Sequence, residues 1–358
     1  MKTLLLVFGG QSSEHAVSCQ SAASLIPFVD EAAFRLVTVG ITRAGAWLLT
    51  EPDPAKIASG AWEKDGASRP AFLSPSRAMP GLQVVTEAGL QSIPVDVAFP
   101  VMHGELCEDG AIQGLFELCG LPYVGPDVCA SACCMDKSVT KLVAASSGVR
   151  QARYALVTDA ELRDDPEAAA DKVERKIGTG YPFFVKPASA GSSVGVTKAH
   201  DRAELLGGME KAAKVCRKLL IEETIVGREV EVAVLGNDEP QASCVGEVLA
   251  ANEFYDYEAK YENAASRTEI PAKLRPADAE KLREAAVRVY RALGCAGLSR
   301  VDFFLLEGGE VVFNEINTLP GFTKISMYPM LWAESGIAYP ALITRLCELA
   351  IERGVRMK

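Results

Sequence analysis

The stretch LSRVDFFLLEGGEVVFNEIN (298–317) constrains this chain more than any other. Two alternating runs flank Gly308-Gly309, a strong local signal for a tight β-hairpin. With the turn centred on the glycines, Asp302 faces Glu315 and Arg300 faces Asn317. The two-residue period of a strand puts all four on one face. Opposed carboxylates repel unless a cation lies between them, and unpaired polar groups are costly to bury. The oxygens of Asp302, Glu315 and Asn317 are hard donors suited to Mg²⁺, which often bridges carboxylates to phosphates. The plain alternative is a solvated polar face on which Arg300 neutralises one acid. A fold for this chain has to bring water or cations to that face.

Two other stretches carry phosphate-like chemistry. In VKPASAGSSVG (185–195), Lys186 ends an apolar strand and a loop of Ala, Ser and Gly follows. Small residues let backbone amides approach an anion, and serine hydroxyls add donors. No GK[ST] follows the glycines, so this is not a Walker loop, and a flexible linker is the competing reading. In LIEETIVGREVEVAV (220–234), the Glu-Glu-Thr-Ile run at a strand end suits an adenine edge, with Glu229 reaching a ribose. A charged edge strand would look the same.

Bulk properties exclude several classes. The 358 residues carry a formal charge of −10, a poor basis for general nucleic-acid binding. The ten cysteines include no CxxC pair and there are only three histidines, so reduced, mostly buried thiols in a cytosolic protein are expected and a zinc site is not. No apolar run approaches the roughly 20 residues that span a bilayer. MKTLLLVFGG reads as a first strand rather than a leader, because its apolar run is short and ends in Gly-Gly.

The order of elements suggests an α/β protein of three units. Strand 3–8, Gly9-Gly10 and a helix from Ser12 or Ser13 as N-cap open a parallel α/β unit. Strands at 35–42 and 95–104 and a short helix stopped by Gly120 complete the first unit, a small three-layer domain (1–121). Residues 51–80, rich in Pro, Ala, Gly and Ser, read as a long surface excursion. A βαβ-like block (122–218) holds helices at 136–149, 160–178 and 201–219, with two short strands inside 181–199. The third unit (219–358) holds the hairpin, a helix at 277–294 and closing helices at 326–335 and 338–353.

Seven segments, in order along the whole chain, resemble one family. They are FGGQSSEHAVS (8–18), PVMHGELCEDGAIQGLFELCGLPYVG (100–125), CMDK (134–137), FFVKPASAGSSVGV (183–196), EFYDYEAKY (253–261), RVDFF (300–304) and NEINTLPGFTKISMYP (314–329). The chain is similar to the D-alanine–D-alanine ligases of the ATP-grasp superfamily. That resemblance implies a three-domain ATP-grasp fold and an ATP-dependent carbon–nitrogen ligase. A first D-alanine would be phosphorylated on its carboxylate, and the acylphosphate attacked by the amine of a second D-amino acid. The dipeptide would feed peptidoglycan synthesis in the cytoplasm, and a homodimer is the expected assembly, with no membrane or nucleic-acid partner.

The same resemblance implies residue roles. Glu14 would meet the first D-alanine's ammonium, with His103 nearby. Lys137, Lys186, Ser193, Glu222, Glu223, Ile225, Glu229 and Lys260 would hold ATP. Ser192 would link the phosphate loop to Tyr261 and Glu14. Lys260 and Tyr261 would lie on a lid that shields an acylphosphate from water. Arg300 and the Gly321 N–H would form an oxyanion hole, while Asp302, Glu315 and Asn317 would ligate two Mg²⁺, with Mn²⁺ as a substitute. Ser326 and Met327 would hold the second substrate, although Ser326 could instead be a helix N-cap.

Four residues depart from the family pattern: Leu106 and Cys107, Ala190, and Lys324, which reads as a surface residue. Retention of Tyr261 favours an amine nucleophile over D-lactate. D-alanine is the expected second substrate, with D-serine, and a glycopeptide-resistance role, as the alternative. Another ATP-grasp ligase or carboxylase, or a silent nucleotide-binding module, fits the Glu14, lid and hairpin residues less well.

Overall fold

The computed structural model describes residues 1–191, 194–249 and 267–356. The chain opens with β1 (Lys2–Gly9), α1 (His15–Leu25), β2 (Phe34–Ile41), β3 (Trp47–Thr50), α2 (Pro54–Ser59), β4 (Arg69–Leu73), β5 (Leu82–Thr86), β6 (Gly89–Ile93), β7 (Val97–Val101) and α3 (Ala111–Cys119). These strands form one sheet in the order β6-β5-β4-β3-β2-β1-β7. β1 pairs in parallel with β2 and β7, as the strand–glycine–helix opening predicts. Leu4, Leu5, Leu6, Val7 and Phe8 are wholly buried, which is why this strand reads as a continuous apolar run.

Two expectations here are corrected. Helix α1 has Glu14 at its N-cap, without a side-chain cap bond; the Ser12 hydroxyl, just ahead of it, donates to the His103 carbonyl at 2.6 Å and accepts from Glu14 N–H at 3.2 Å. Residues 51–80 are not merely a surface excursion. They fold into α2 and β4 and send Trp62, 1% exposed, into the core beneath Phe8 at 5.0 Å between ring centroids. A side chain at Gly40 would meet the Trp62 ring at 2.3 Å, so this glycine is required by packing.

Next come α4 (Val128–Met135), α5 (Lys137–Ala144), β8 (Arg150–Gln151), β9 (Tyr154–Thr158), α6 (Asp159–Asp164), α7 (Pro166–Ile177), β10 (Phe183–Pro187), β11 (Thr197–Ala199), α8 (Arg202–Ala213) and β12 (Lys218–Glu223). The expected helix at 160–178 is two helices. Pro166 lacks the N–H a continuous helix needs, and Asp165 caps the second by accepting from Ala168 N. The block's βαβ units are split: β9 and β10 run parallel to each other with β12 between them, and β11 and β12 with β10 between them. Its sheet, β11-β10-β12-β9, is antiparallel at every pairing. Val173, Ile177, Leu205 and Met209 from the helices pack on its strands.

The last stretch holds β13 (Arg228–Gly236), β14 (Gln241–Leu249), β15 (Arg267–Glu269), α9 (Pro276–Ala292), β16 (Gly297–Leu305), β17 (Val311–Asn317), α10 (Met327–Glu334) and α11 (Tyr339–Arg356). The third sheet runs β15-β14-β13-β16-β17-β8. Helix α9 seals one face through Leu282, Ala285, Ala286 and Val289. Phe322, Tyr328, Trp332 and Leu346 share a core cluster with Phe8 and Phe99 of the first sheet. That shared core holds the end of β17 against the loops after β1 and β7. Among the described residues, no helix is long and apolar enough to cross a membrane.

Candidate active site

A cavity of about 320 Å³ opens where the three sheets meet. Every described residue to which the resemblance gives a role lines it. Glu14 and His103 come from the loops after β1 and β7, and Lys137 from the start of α5. Lys186, Glu222, Glu223, Ile225 and Glu229 come from β10, β12 and β13 and the turn between the last two. The hairpin adds Arg300, Asp302, Glu315 and Asn317, and the chain beyond it Gly321, Ser326 and Met327. Ser192, Ser193, Lys260 and Tyr261 lie outside the described residues.

The hairpin keeps the predicted register at its functional end: Arg300 opposes Asn317 and Asp302 opposes Glu315. It reaches that register by another route. Near the turn Leu305 opposes Val311 and Leu306 N–H donates to the Glu310 carbonyl, so the loop is one residue longer than the Gly-Gly pair. A bulge then places Phe303 opposite Phe313 and leaves Asn314 extra. A regular strand would send Phe313 and Glu315 to one face. The bulge lets Phe313 enter the core (1% exposed) while Glu315 lines the cavity.

That face is partly solvated: Asp302 is buried, whereas Arg300, Glu315 and Asn317 are partly exposed to the cavity. Arg300 donates to both oxygens of Asp302, at 2.8 and 2.7 Å, and lies 3.0 Å from Glu231. Burial opposes the Arg300 charge, but Asp302 and Glu231 hold its guanidinium protonated well beyond the ordinary range. Neutralisation of one acid by Arg300 therefore does occur. Among the described residues, no group of three or more His, Cys, Asp or Glu side chains gathers as a ready metal site. The hairpin donors still fit a hard divalent ion completed by phosphate or water. A carboxylate has about four lone-pair sites and Asp302 uses two on Arg300. Asn317 Oδ1 accepts from Leu319 N–H at 3.0 Å and keeps a second lone pair.

On the side of the cavity formed by α5, β10 and β12, three lysines gather: Lys137, Lys141 and Lys186. Glu222, 4% exposed, is gripped by Lys141 at 2.5 Å and Lys186 at 2.6 Å. Burial pushes its carboxyl up, but the two lysines outweigh this and hold it at about 2. Lys137 Nζ donates to the Ala190 carbonyl at 2.9 Å and stands 3.9 Å from Glu315. Glu223 accepts from Arg153 N at 2.8 Å, which ties the end of β12 to the strand beside it.

On the opposite side, Glu14 Oε2 occupies a cradle made by two glycines. An added Cβ would lie 2.8 Å from it at Gly104 and 3.1 Å at Gly191. Gly191 belongs to the small-residue loop, so that loop is small partly to admit this carboxylate. His103 is buried, with Nδ1 3.0 Å from the Leu319 carbonyl and 3.8 Å from Glu108. Burial disfavours its charge, yet Glu108 and Glu14 shift its pKa upward. Burial and the neighbouring Glu14 raise the Glu108 carboxyl.

Ser326 does sit at the N-cap position of α10, but its hydroxyl makes no cap bond. It accepts from Thr323 N at 3.0 Å and pairs with the Thr323 hydroxyl at 2.8 Å. Lys324 is exposed. Cys107 is wholly buried and gives its carbonyl to Gln113 at 2.8 Å, a packing role, whereas Leu106 sits at φ 65 on the surface. Sequence reasoning missed Lys141, Glu231 and Glu108. Lys141 is one turn beyond Lys137 on α5, and Glu231 shares a strand face with Glu229. Glu108 carried no signal beyond its place in HGELCEDG.

Two family models cover most of the chain: D-ala D-ala ligase N-terminus over residues 3–126 and D-ala D-ala ligase C-terminus over 143–348. The chain belongs to the D-alanine–D-alanine ligase family. It is 50% identical to the D-alanine–D-alanine ligase of Acetivibrio thermocellus, covering 98% of this chain and 96% of the relative. Among solved structures it is similar to the VanG D-Ala:D-Ser ligase of Enterococcus faecalis, with TM-score 0.88, 37% identity and coverage of 98% and 99%. The D-alanine–D-alanine ligase of Coxiella burnetii matches with TM-score 0.86, 32% identity and coverage of 100% and 97%. The fold is accordingly the ATP-grasp fold of these ligases, and the enzyme is a ligase that forms a peptide bond.

Proposed function

We propose that this enzyme joins two D-alanines through a D-alanyl phosphate, using ATP, to supply peptidoglycan precursors in the cytoplasm. The observation that carries this reading is convergence. Glu14, Lys186, Arg300, Asp302 and Glu315 stand on separate parts of the chain and line one cavity.

Glu14 holds the first D-alanine's ammonium, an anion fixed between two glycines for a cation. His103 orients the same substrate. Lys137 and Lys186 neutralise phosphate oxygens during transfer, helped by Ser193 and Lys260. Glu222, Glu223, Ile225 and Glu229 border the nucleoside end. Asp302, Glu315 and Asn317 would hold two Mg²⁺, or Mn²⁺ in their place. Bound there, the ions would offset charge on the phosphates. Arg300 and the Gly321 N–H stabilise the oxyanion formed when the second amine attacks. Ser326 and Met327 hold the second substrate's carboxylate. Ser192 links the phosphate loop to Tyr261, whose lid keeps water from the acylphosphate. The working units follow 1–121, 122–218 and 219–358, with β12 at the second join, in a homodimer.

D-serine as second substrate is the other reading, supported by the similarity to the VanG D-Ala:D-Ser ligase. Product mass spectrometry decides between them. The enzyme is given ATP, Mg²⁺ and D-alanine near pH 7.5, with or without equimolar D-serine or D-lactate. D-alanyl-D-alanine as the main product of every mixture supports the first reading. A switch to D-alanyl-D-serine in the serine mixture replaces it with the second and points to glycopeptide resistance.

A further inference from the structure

Residues 318–323 form neither helix nor strand, yet side chains from distant elements hold their backbone at several points. Leu319 N–H donates to Asn317 and the Leu319 carbonyl accepts from His103 Nδ1, each at 3.0 Å. Phe322 N–H donates to Ser21 Oγ at 3.3 Å, and the Phe322 carbonyl accepts from the Tyr339 hydroxyl at 2.7 Å. Ser21, wholly buried on α1, also lies 3.3 Å from His103 Nε2.

With the imidazole proton on Nδ1, every member of this chain is satisfied. Phe322 N–H donates to Ser21, the Ser21 hydroxyl donates to Nε2, and Nδ1–H donates to the Leu319 carbonyl. The Phe322 ring is fixed between Phe99 at 5.4 Å and Tyr328 at 5.8 Å. Pro320 has no N–H. Between the two staples lies Gly321, whose N–H has no partner among the described residues.

We propose that Ser21 and Tyr339 are positioning residues on the C-terminal side of Gly321, Ser21 fixing the Gly321–Phe322 peptide and Tyr339 the peptide after it, so that the Gly321 N–H is held ready for the oxyanion. The inference rests on the proposed reaction, in which that N–H serves the peptide-forming step. Neither residue touches the reacting atoms. Their removal should therefore slow peptide formation while sparing acylphosphate formation.

The test compares Ser21→Ala, Ser21→Thr and Tyr339→Phe in the full chain. Dipeptide formation is measured beside D-alanine-dependent scrambling of ¹⁸O between the β,γ-bridging and β-nonbridging positions of ATP. In Ser21→Ala, kcat for dipeptide should fall roughly 10- to 100-fold, as expected for a displaced catalytic group. Scrambling and the KM for ATP should stay within about twofold. Ser21→Thr, which keeps a hydroxyl, should restore most of the rate. Hydrogen–deuterium exchange of 317–324 should quicken in Ser21→Ala. Wild-type kcat and unchanged exchange overturn the proposal. So do equal losses in both reactions that follow a fall in Tm. If Ser21→Ala does not fold, Tyr339→Phe, which keeps the ring, carries the same comparison. If the wild type neither makes dipeptide nor scrambles ATP, the reaction reading fails, and the deuterium exchange still decides whether Ser21 pins the segment.

Discussion

The cluster around Glu222 and the cluster around Arg300 line the same cavity and are charged in opposite senses. Glu222 is one carboxylate between two lysines, Lys141 and Lys186. Arg300 is one cation between two carboxylates, Asp302 and Glu231, with Glu315 opposite Asp302. Desolvating charge is expensive, and a surplus of either sign is worse than a matched pair. Side by side, the two surpluses suit a ligand that brings both signs. In the proposed reaction a polyphosphate would supply anionic oxygens to the lysine side, and its divalent ions would supply positive charge to the hairpin side. Each region is incomplete in the way that such a ligand completes.

The strongest test breaks the hairpin cluster. Arg300→Met leaves Glu231 and Asp302, cross-strand partners, facing each other without their shared cation. Stability should fall by about 3–5 kcal/mol in urea unfolding. Turnover of any correctly folded fraction should fall roughly 10²- to 10³-fold, the usual effect of losing an oxyanion donor, which is the role proposed for Arg300. An unchanged urea midpoint would show that the two acids do not depend on Arg300.

Breaking the lysine cluster should have a somewhat smaller effect, with a pH signature. Glu222 sits at about 2 in the fold against an ordinary 4.5. Because the folded value is the lower one, its contribution is complete above the unfolded value. It is lost as pH falls from about 4.5 towards 2, and amounts to roughly 3 kcal/mol. Glu222→Gln should lose about that much at pH 7, and its stability should depend less on pH across that acid window. A variant with the wild-type acid-unfolding slope would assign the slope to other carboxylates.

How legible each cluster was in the sequence follows from how local its contacts are. The hairpin acids could be read because period two and a Gly-Gly turn are short-range rules. Even so, the loop is one residue longer than the glycines suggested, and the Asn314 bulge compensates. That bulge answers the competition between Phe313, which belongs in the core, and Glu315, which does not; alternation alone cannot see it. Lys141 was illegible because its partner Glu222 is supplied by a strand from far along the chain. The all-antiparallel central sheet was missed because periodicity marks strands and not their neighbours. Trp62 was hidden in a stretch whose composition reads as loop, and its burial depends on distant residues, the gap over Gly40 and the Phe8 ring. By contrast, the Asp165-Pro166 pair that splits α6 from α7 was a local signal left unread.

A subtler test acts where the lysine-side loop meets Glu14. Gly191→Ala would place a methyl 3.1 Å from Glu14 Oε2, and Gly191 has no positive φ to strain. The carboxylate tip can shift by a few tenths of an ångström, so stability should change by less than about 1 kcal/mol. The KM for D-alanine should rise about tenfold, equivalent to about 1.4 kcal/mol of lost binding. A larger loss of stability than of affinity would make the glycine a packing requirement rather than a space left for the Glu14 carboxylate.

The smallest effect is expected outside both clusters. Lys324 is an exposed cation two residues before Ser326, close in sequence to the proposed carboxylate site. Its charge is screened by water, and exposed charges of this kind contribute little. Lys324→Ala should leave stability within about 0.5 kcal/mol and the KM for D-alanine within about twofold. Steady-state kinetics at low and high salt check this directly. A tenfold rise in KM that vanishes at high salt would extend the cationic surplus to the rim of the cavity. Charge complementarity would then begin at the entrance rather than at the buried lysines.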